Sequence, residues 1–333
     1  MDVLEVARRL ADDTLFPAAL ATDAAESVPV ELLDALADAG LYGLVGPASA
    51  GGLEADFLTT CGVVEALASG CLTTTFLWTQ HLSGLMAAAS TENEVIRKWL
   101  PTLCSGERRA GLALAGARSG RPSLSAAETQ DGWSLSGRAP FVSGWGRIAV
   151  MHTAARTGDD RLLWAFVDAE ETDTLTVQRL DLMALDATAT VSVEFREHLV
   201  PESRVTSIAL VEDGPTPPPV LRMHAAFALG VAGRCCRLLG PTPLTDDLEA
   251  VRTELDRLDP ETIGAARGRA GVLALRAAAA LATATGSRSL LGEAHEQRLV
   301  REAAFCLIYA LRPGSRDAVL RELGSPAPNP GNG

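Results

Sequence analysis

Two stretches rich in Ala and Leu, before about residue 110 and after about residue 220, enclose a stretch in which apolar and polar residues alternate. A period of two belongs to strands and a period near 3.6 to helices, so the chain carries a β block between two helical blocks. No crossover helices interrupt the β block, which favours a barrel or sandwich over a parallel sheet. Within it, Thr190-Val191-Ser192-Val193-Glu194-Phe195 alternates strictly and should turn Val191, Val193 and Phe195 to the core. Asp131-Gly132 is a turn signal into Trp133-Ser134-Leu135. The run that closes on Phe141-Val142-Ser143-Gly144-Trp145-Gly146 reads either as a strand ending at a ligand or as a strand end with ordinary core aromatics.

The first helical block has Pro29 at the first turn of a helix with Leu32, Leu33 and Leu36 on one face, stopping at Gly40. Glu54 to Ala68 and Leu72 to Ala89 follow as helices, and Thr91-x-x-Glu94 has the form of a capping box for a short helix ended by Pro101. In the second block, Leu221 to Leu239, a helix capped by Asp246, a long Ala-rich helix after Asp259-Pro260 and a last helix with a stripe through Leu299, Ala303, Leu307 and Leu311 suit a four-helix bundle. These blocks predict a helical domain over 1–108, a β domain over 109–212, a helical bundle over 213–325 and a disordered tail over 326–333.

Net charge is −13 and Lys98 is the one lysine, so no basic stripe suits a nucleic-acid partner. The N-terminus has no basic segment leading an apolar one, and no uninterrupted apolar run approaches the roughly 18 residues that span a bilayer. A cytoplasmic chain without a membrane partner is expected. The six cysteines have no C-x-x-C spacing and should be free thiols in the core, with no metal site.

Several short segments come in a recognisable order. Gly40-Leu41, Pro47 and Gly51-Gly52 follow one helix; Leu100-Pro101 and Gly106-Glu107 precede the β block; Gly137-Arg138-Ala139-Pro140-Phe141-Val142-Ser143 closes a strand. In this the chain resembles the acyl-CoA dehydrogenase superfamily, over roughly residues 30 to 322. The resemblance implies an α+β multidomain fold with an N-terminal helical domain, a central antiparallel β-barrel domain and a C-terminal four-helix bundle. It further implies a cofactor, FAD, between the β domain and the helices, with Phe141, Val142 and Ser143 against the flavin ring. A second flavin-facing segment of the family corresponds to Leu112-Ala113-Leu114-Ala115-Gly116, which makes Leu112, Leu114 and Ala115 cofactor-binding candidates; Ala115 stands where the family has a hydroxyl.

The chain departs from the family where a catalytic base is expected. Removing an α-proton beside a thioester calls for a carboxylate, because the thioester alone does not make that proton labile enough. Many members carry this Glu directly after a Tyr in the last helix, nine residues beyond the Arg of an Arg-Asp-Ala motif. Arg301-Glu302-Ala303 and Tyr309 match, and the next residue is Ala310. Other members place the Glu before an Arg that Arg222 matches, and here Leu221 precedes it. The loops that hold the dinucleotide part of FAD across a subunit interface are not recognisable; Thr283 to Arg288 fills one of them only in outline.

His81 is then the catalytic candidate, since monooxygenases of the same fold place a His on the corresponding helix near the reactive face of the ring. Trp78, His81 and Leu85 share a helical face. They line a pocket, or His81 is a half-buried core residue bonded to a backbone carbonyl. The resemblance thus implies a FAD-dependent acyl-CoA dehydrogenase-like oxidoreductase acting on CH–CH groups of an acyl thioester or related small molecule. The alternatives are a flavin-dependent monooxygenase of this fold and a non-catalytic homologue acting as a partner subunit. A homodimer or homotetramer is implied, or a hetero-oligomer with a fuller homologue.

Overall fold

The computed structural model describes residues 2–117, 122–211, 214–311 and 313–325. Seven helices come first: α1 (Val3–Leu10), α2 (Phe16–Asp23), α3 (Val30–Asp38), α4 (Phe57–Gly70), α5 (Leu72–Ser90), α6 (Glu94–Arg97) and α7 (Leu100–Ser105). Capping side chains set several starts: Asp2 accepts from Leu4 N–H, Asp56 from Thr59 N–H and Asn93 from Val95 N–H. Pro29 caps α3, and Gly40 beyond its end adopts φ 72°. Two local expectations are corrected. Asn93, not Thr91, caps α6: its side chain accepts from Val95 N–H, while the Thr91 hydroxyl accepts from Asn93 N–H, ahead of the helix, and donates to the Thr206 carbonyl. Pro101 opens α7 rather than ending a helix, in the first-turn position where its missing N–H costs nothing.

The centre is an eight-stranded sheet among the described residues. Its strands are β1 (Ala110–Ala113), β2 (Leu124–Thr129), β3 (Gly132–Val142), β4 (Val150–Thr157), β5 (Arg161–Asp168), β6 (Leu175–Arg179), β7 (Val191–Val200) and β8 (Val205–Leu210). They pair in the order β6-β7-β3-β2-β4-β5-β8, with β1 joined to β4. The central antiparallel barrel expected above is therefore a mixed sheet: β1 and β2 run parallel to β4, the other pairs antiparallel. β1 meets Val150 to Thr153 and β2 meets Arg156 and Thr157, so the two share one edge of β4 with a short turn, Ala115–Ala117, between them. Val191, Val193 and Phe195 are buried as the alternation requires, in one core with Trp133, Leu135 and Val142.

The C-terminal helices are α8 (Pro218–Leu239), α9 (Leu244–Asp256), α10 (Ile263–Thr285), α11 (His295–Ile308) and α12 (Pro313–Glu322). By length and composition Ile263–Leu290 is apolar enough to cross a membrane; its small residues Ala266, Ala270, Ala274, Ala277 and Ala278 are instead packed in the helical core. This core also holds Leu67, Leu72, Leu229 and Leu299, so the two helical blocks bury a common surface. The apolar stripe predicted for the last helix stops early. Tyr309 is an extended cap, and Ala310 takes φ 54°. All six cysteines are buried free thiols. The predicted tail, 326–333, lies outside the described residues.

Candidate active site

A cavity of about 470 Å³ lies where α5, the ends of β1 and β3, the 182–190 loop and the end of α11 meet. That volume is in the range of small-molecule sites, about 300–1,000 Å³. The local reasons are in the backbone. β1 stops pairing after Ala113 and is followed by the turn Ala115–Ala117, while β3 is irregular between Ala139 and Val142, with Phe141 at φ 58°. On the opposite block α11 breaks at Tyr309, which turns Ala310 and Leu311 onto the wall.

The walls are apolar: Phe76, Leu112, Leu114, Ala115, Phe141, Leu182, Met183, Phe305 and Ile308, with Tyr309 stacked on Phe305 at 5.2 Å. Hydroxyls gather at one edge, where Ser143, Thr188 and Thr190 are linked at 2.7 and 2.8 Å. Strained backbone concentrates here too. Phe141, Leu185 and Ala310 line the cavity with positive φ, and Ala189, adjoining Thr188 and Thr190, has φ 48°. Left-handed conformations are unfavourable for side chains of this kind, and they persist where the surroundings impose them. Phe141 is also 63% exposed, a large ring held at the mouth rather than in the core.

Of the residues singled out above as cofactor contacts, the structure brings Leu112, Leu114, Ala115, Phe141 and Ser143 together on this cavity. Val142 points the other way and is buried in the sheet core. His81 is not on the cavity wall. Its Nδ1 accepts the Ala110 N–H at 3.1 Å, its ring meets Tyr42 edge-on at 4.9 Å, and burial lowers its pKa to about 4. Trp78 and Leu85, which share its helical face, are buried as well, so that face is a core face. The ring bolts α5 to β1 as a neutral group. Of the two positions where the family carries its base, Ala310 is on the cavity and Leu221 is not. No Asp, Glu, His, Lys or Arg lines the cavity among the described residues.

Thr188, Thr190, Gln80 and the 182–185 segment belong to the site without having been singled out in the sequence. For Thr188 and Thr190 the signal was weak, since small polar residues just before a strand read as turn formers.

Comparison with known proteins follows the same outline. Residues 2–107 match the family model described as acyl-CoA dehydrogenase, N-terminal domain. The first helical block is an acyl-CoA dehydrogenase N-terminal domain. Isobutyryl-CoA dehydrogenase of Dictyostelium discoideum is 32% identical over 157 residues, 45% of this chain and 38% of that protein. The matched segments span about half, or less, of the length of the curated relatives. Similarity in fold extends over nearly the whole chain. The glutaryl-coenzyme A dehydrogenase–glutaryl-CoA complex superposes with a TM-score of 0.81 at 18% identity, covering 97% of this chain and 94% of the other. Dibenzothiophene monooxygenase from Paenibacillus sp. A11-2 superposes at 0.77 and 18% identity, covering 99% of each. The chain thus shares its fold with these two proteins.

The cavity residues fit part of a flavin. A planar apolar ring suits the aromatic and aliphatic walls, and the hydroxyl edge suits a ring rim that carries hydrogen-bonding atoms. The described lining holds no cation for a pyrophosphate, so the dinucleotide part would lie beyond it.

Proposed function

We propose that the chain is a FAD-dependent, acyl-CoA dehydrogenase-like oxidoreductase that acts on an acyl thioester or a related small molecule. The observation that supports it most is the cavity, built at the junction of β1, β3 and α11 from the segments in which the superfamily resemblance lies. Bound flavin supplies a hydride acceptor for oxidation of a carbon–carbon single bond. Leu112, Leu114 and Phe141 would pack against the ring, Ser143 would meet its edge, and Phe76 with Phe305 would keep water from the reacting carbon. FAD rather than FMN, a cytoplasmic location and a homodimer or homotetramer belong to the same proposal.

The missing carboxylate favours a second reading. Ala310 presents a methyl group where α-proton removal calls for a base, and the described lining offers only Tyr309 as an ionisable side chain. The chain would then serve as a non-catalytic partner of a fuller homologue, or run a flavin reaction that needs no α-proton removal, such as a monooxygenation. Anaerobic mixing of the flavin-loaded protein with a panel of acyl-CoA thioesters separates these. Bleaching of the flavin bands supports the dehydrogenase; retention of the bands with every thioester rejects it. In the same protein Ser143→Ala should weaken flavin retention, read by ultrafiltration.

A further inference from the structure

Three hydroxyls on the cavity edge form a line with a fixed direction. Thr188 Oγ1 donates to the Leu185 carbonyl at 2.7 Å. The Thr188 and Thr190 hydroxyl oxygens are 2.8 Å apart, and those of Thr190 and Ser143 are 2.7 Å apart. Each hydroxyl has one proton to give and two lone pairs to accept with. The Thr188 proton is committed to Leu185, so the Thr190 proton must serve the bond to Thr188. The Ser143 proton must then serve the bond to Thr190, and nothing is left for Ser143 to donate into the cavity.

The far end of this line is anchored by backbone. Leu185 at φ 60° and Ala189 at φ 48° flank the turn Asp186–Thr188, and the Gly144 N–H donates to the Thr188 carbonyl at 2.7 Å, tying the turn to the strand end that carries Ser143. All three hydroxyl residues are buried, where hydrogen bonds within a line are stronger than in water.

We infer that Thr188 and Thr190 are positioning residues that hold Ser143 Oγ as an acceptor-only group, so that the site prefers a ligand edge bearing an N–H or O–H over the same edge bearing a bare lone pair. Resting on the flavin reading above, this sets a redox preference. A ring nitrogen that is an acceptor in the oxidised flavin gains a proton when the ring takes up electrons, and the Ser143 oxygen matches only the protonated form.

The test is the ratio of the dissociation constants of FAD and dithionite-reduced FAD, measured anaerobically for the intact chain, Thr190→Val and Thr190→Ser. Valine releases the Ser143 proton, which can then serve the oxidised edge. The ratio should shift about tenfold toward oxidised FAD, the worth of one hydrogen bond, or about 30 mV for a two-electron couple. Serine keeps the relay and should keep the ratio. Thr188→Val breaks the same line from its other end, since Thr190 then turns its proton to Ser143, and should shift the ratio the same way. Flavin binding in both forms with a ratio unchanged in both valine variants overturns the inference alone. Failure of both forms to bind the folded wild-type chain overturns the flavin reading, and the inference with it.

Discussion

Phe76 on α5 meets Phe305 on α11 edge-on, with ring centroids 5.1 Å apart and planes at 81°, and meets Tyr309 at the same distance. Edge-to-face pairs at this spacing add to the burial of the rings. This contact joins the first helical block to the last across the cavity wall, and Phe76 is only 7% exposed. Phe76→Ala should therefore lower stability by about 3–5 kcal/mol, seen as a fall in the urea midpoint with little change in slope. An unchanged midpoint would show that the two blocks do not depend on each other here.

Ala310 is where a carboxylate can be installed with least disturbance, because the backbone break at Tyr309 already turns this position onto the cavity. Ala310→Glu should raise the rate of thioester-dependent bleaching of bound flavin above that of the unmodified chain. Burial among apolar walls raises a carboxyl's pKa, so the gained rate should climb with pH through a value above the usual carboxylate range. A pH-independent rate would place the proton acceptor elsewhere.

Acid should destabilise the fold through two buried imidazoles. Burial lowers His81 and His152 to about 4, against the ordinary 6.5. Between those values the unfolded chain binds protons that the folded chain refuses, so stability falls as pH drops from about 6.5 to about 4, by about 1.4 kcal/mol per pH unit for each ring. His152 is held by Ser83 at 3.3 Å and Thr206 at 3.1 Å, and stacks on Trp164. Denaturation curves at pH 7 and pH 5 measure the slope, to which His295 and His198, also lowered by burial, add, and His152→Gln should reduce it; a slope untouched by the substitution would contradict the assignment.

Within α11, Arg298 donates to Glu302 at 2.5 Å with both side chains buried. Burial pushes the Glu302 carboxyl up, and Arg298 opposes that shift. Removing one partner of such a pair strands the other charge, so Arg298→Met should cost about 3–5 kcal/mol. Arg298→Met with Glu302→Leu should recover most of that loss, and thermal melts of the single and double variants would show whether it does.

The order of helix, sheet and bundle was legible because periods of two and 3.6 differ over long windows, and the strand burying Val191, Val193 and Phe195 follows directly from alternation. Strand direction was not, since alternation is the same for parallel and antiparallel neighbours; hence the parallel seating of β1 and β2 on β4 was missed. The stripe through Leu307 and Leu311 continues past the point where α11 breaks, so the turn that brings Ala310 to the cavity left no periodic trace. His81 shows the converse. Its helical neighbours Trp78 and Leu85 make a core face as readily as a pocket wall, and the contact that decides, with Ala110 N–H, is 29 residues away. Ser143 was found by motif; its partners Thr188 and Thr190 came only with the fold.

The central claim, a flavin ring seated in the cavity of β1, β3 and α11, is tested most directly by titrating the purified chain with FAD and following its absorbance bands. Saturable binding close to one flavin per chain, with a spectral shift expected of a ring moved from water to apolar walls, is the predicted result. A folded chain that leaves the FAD spectrum unchanged at all concentrations would contradict it.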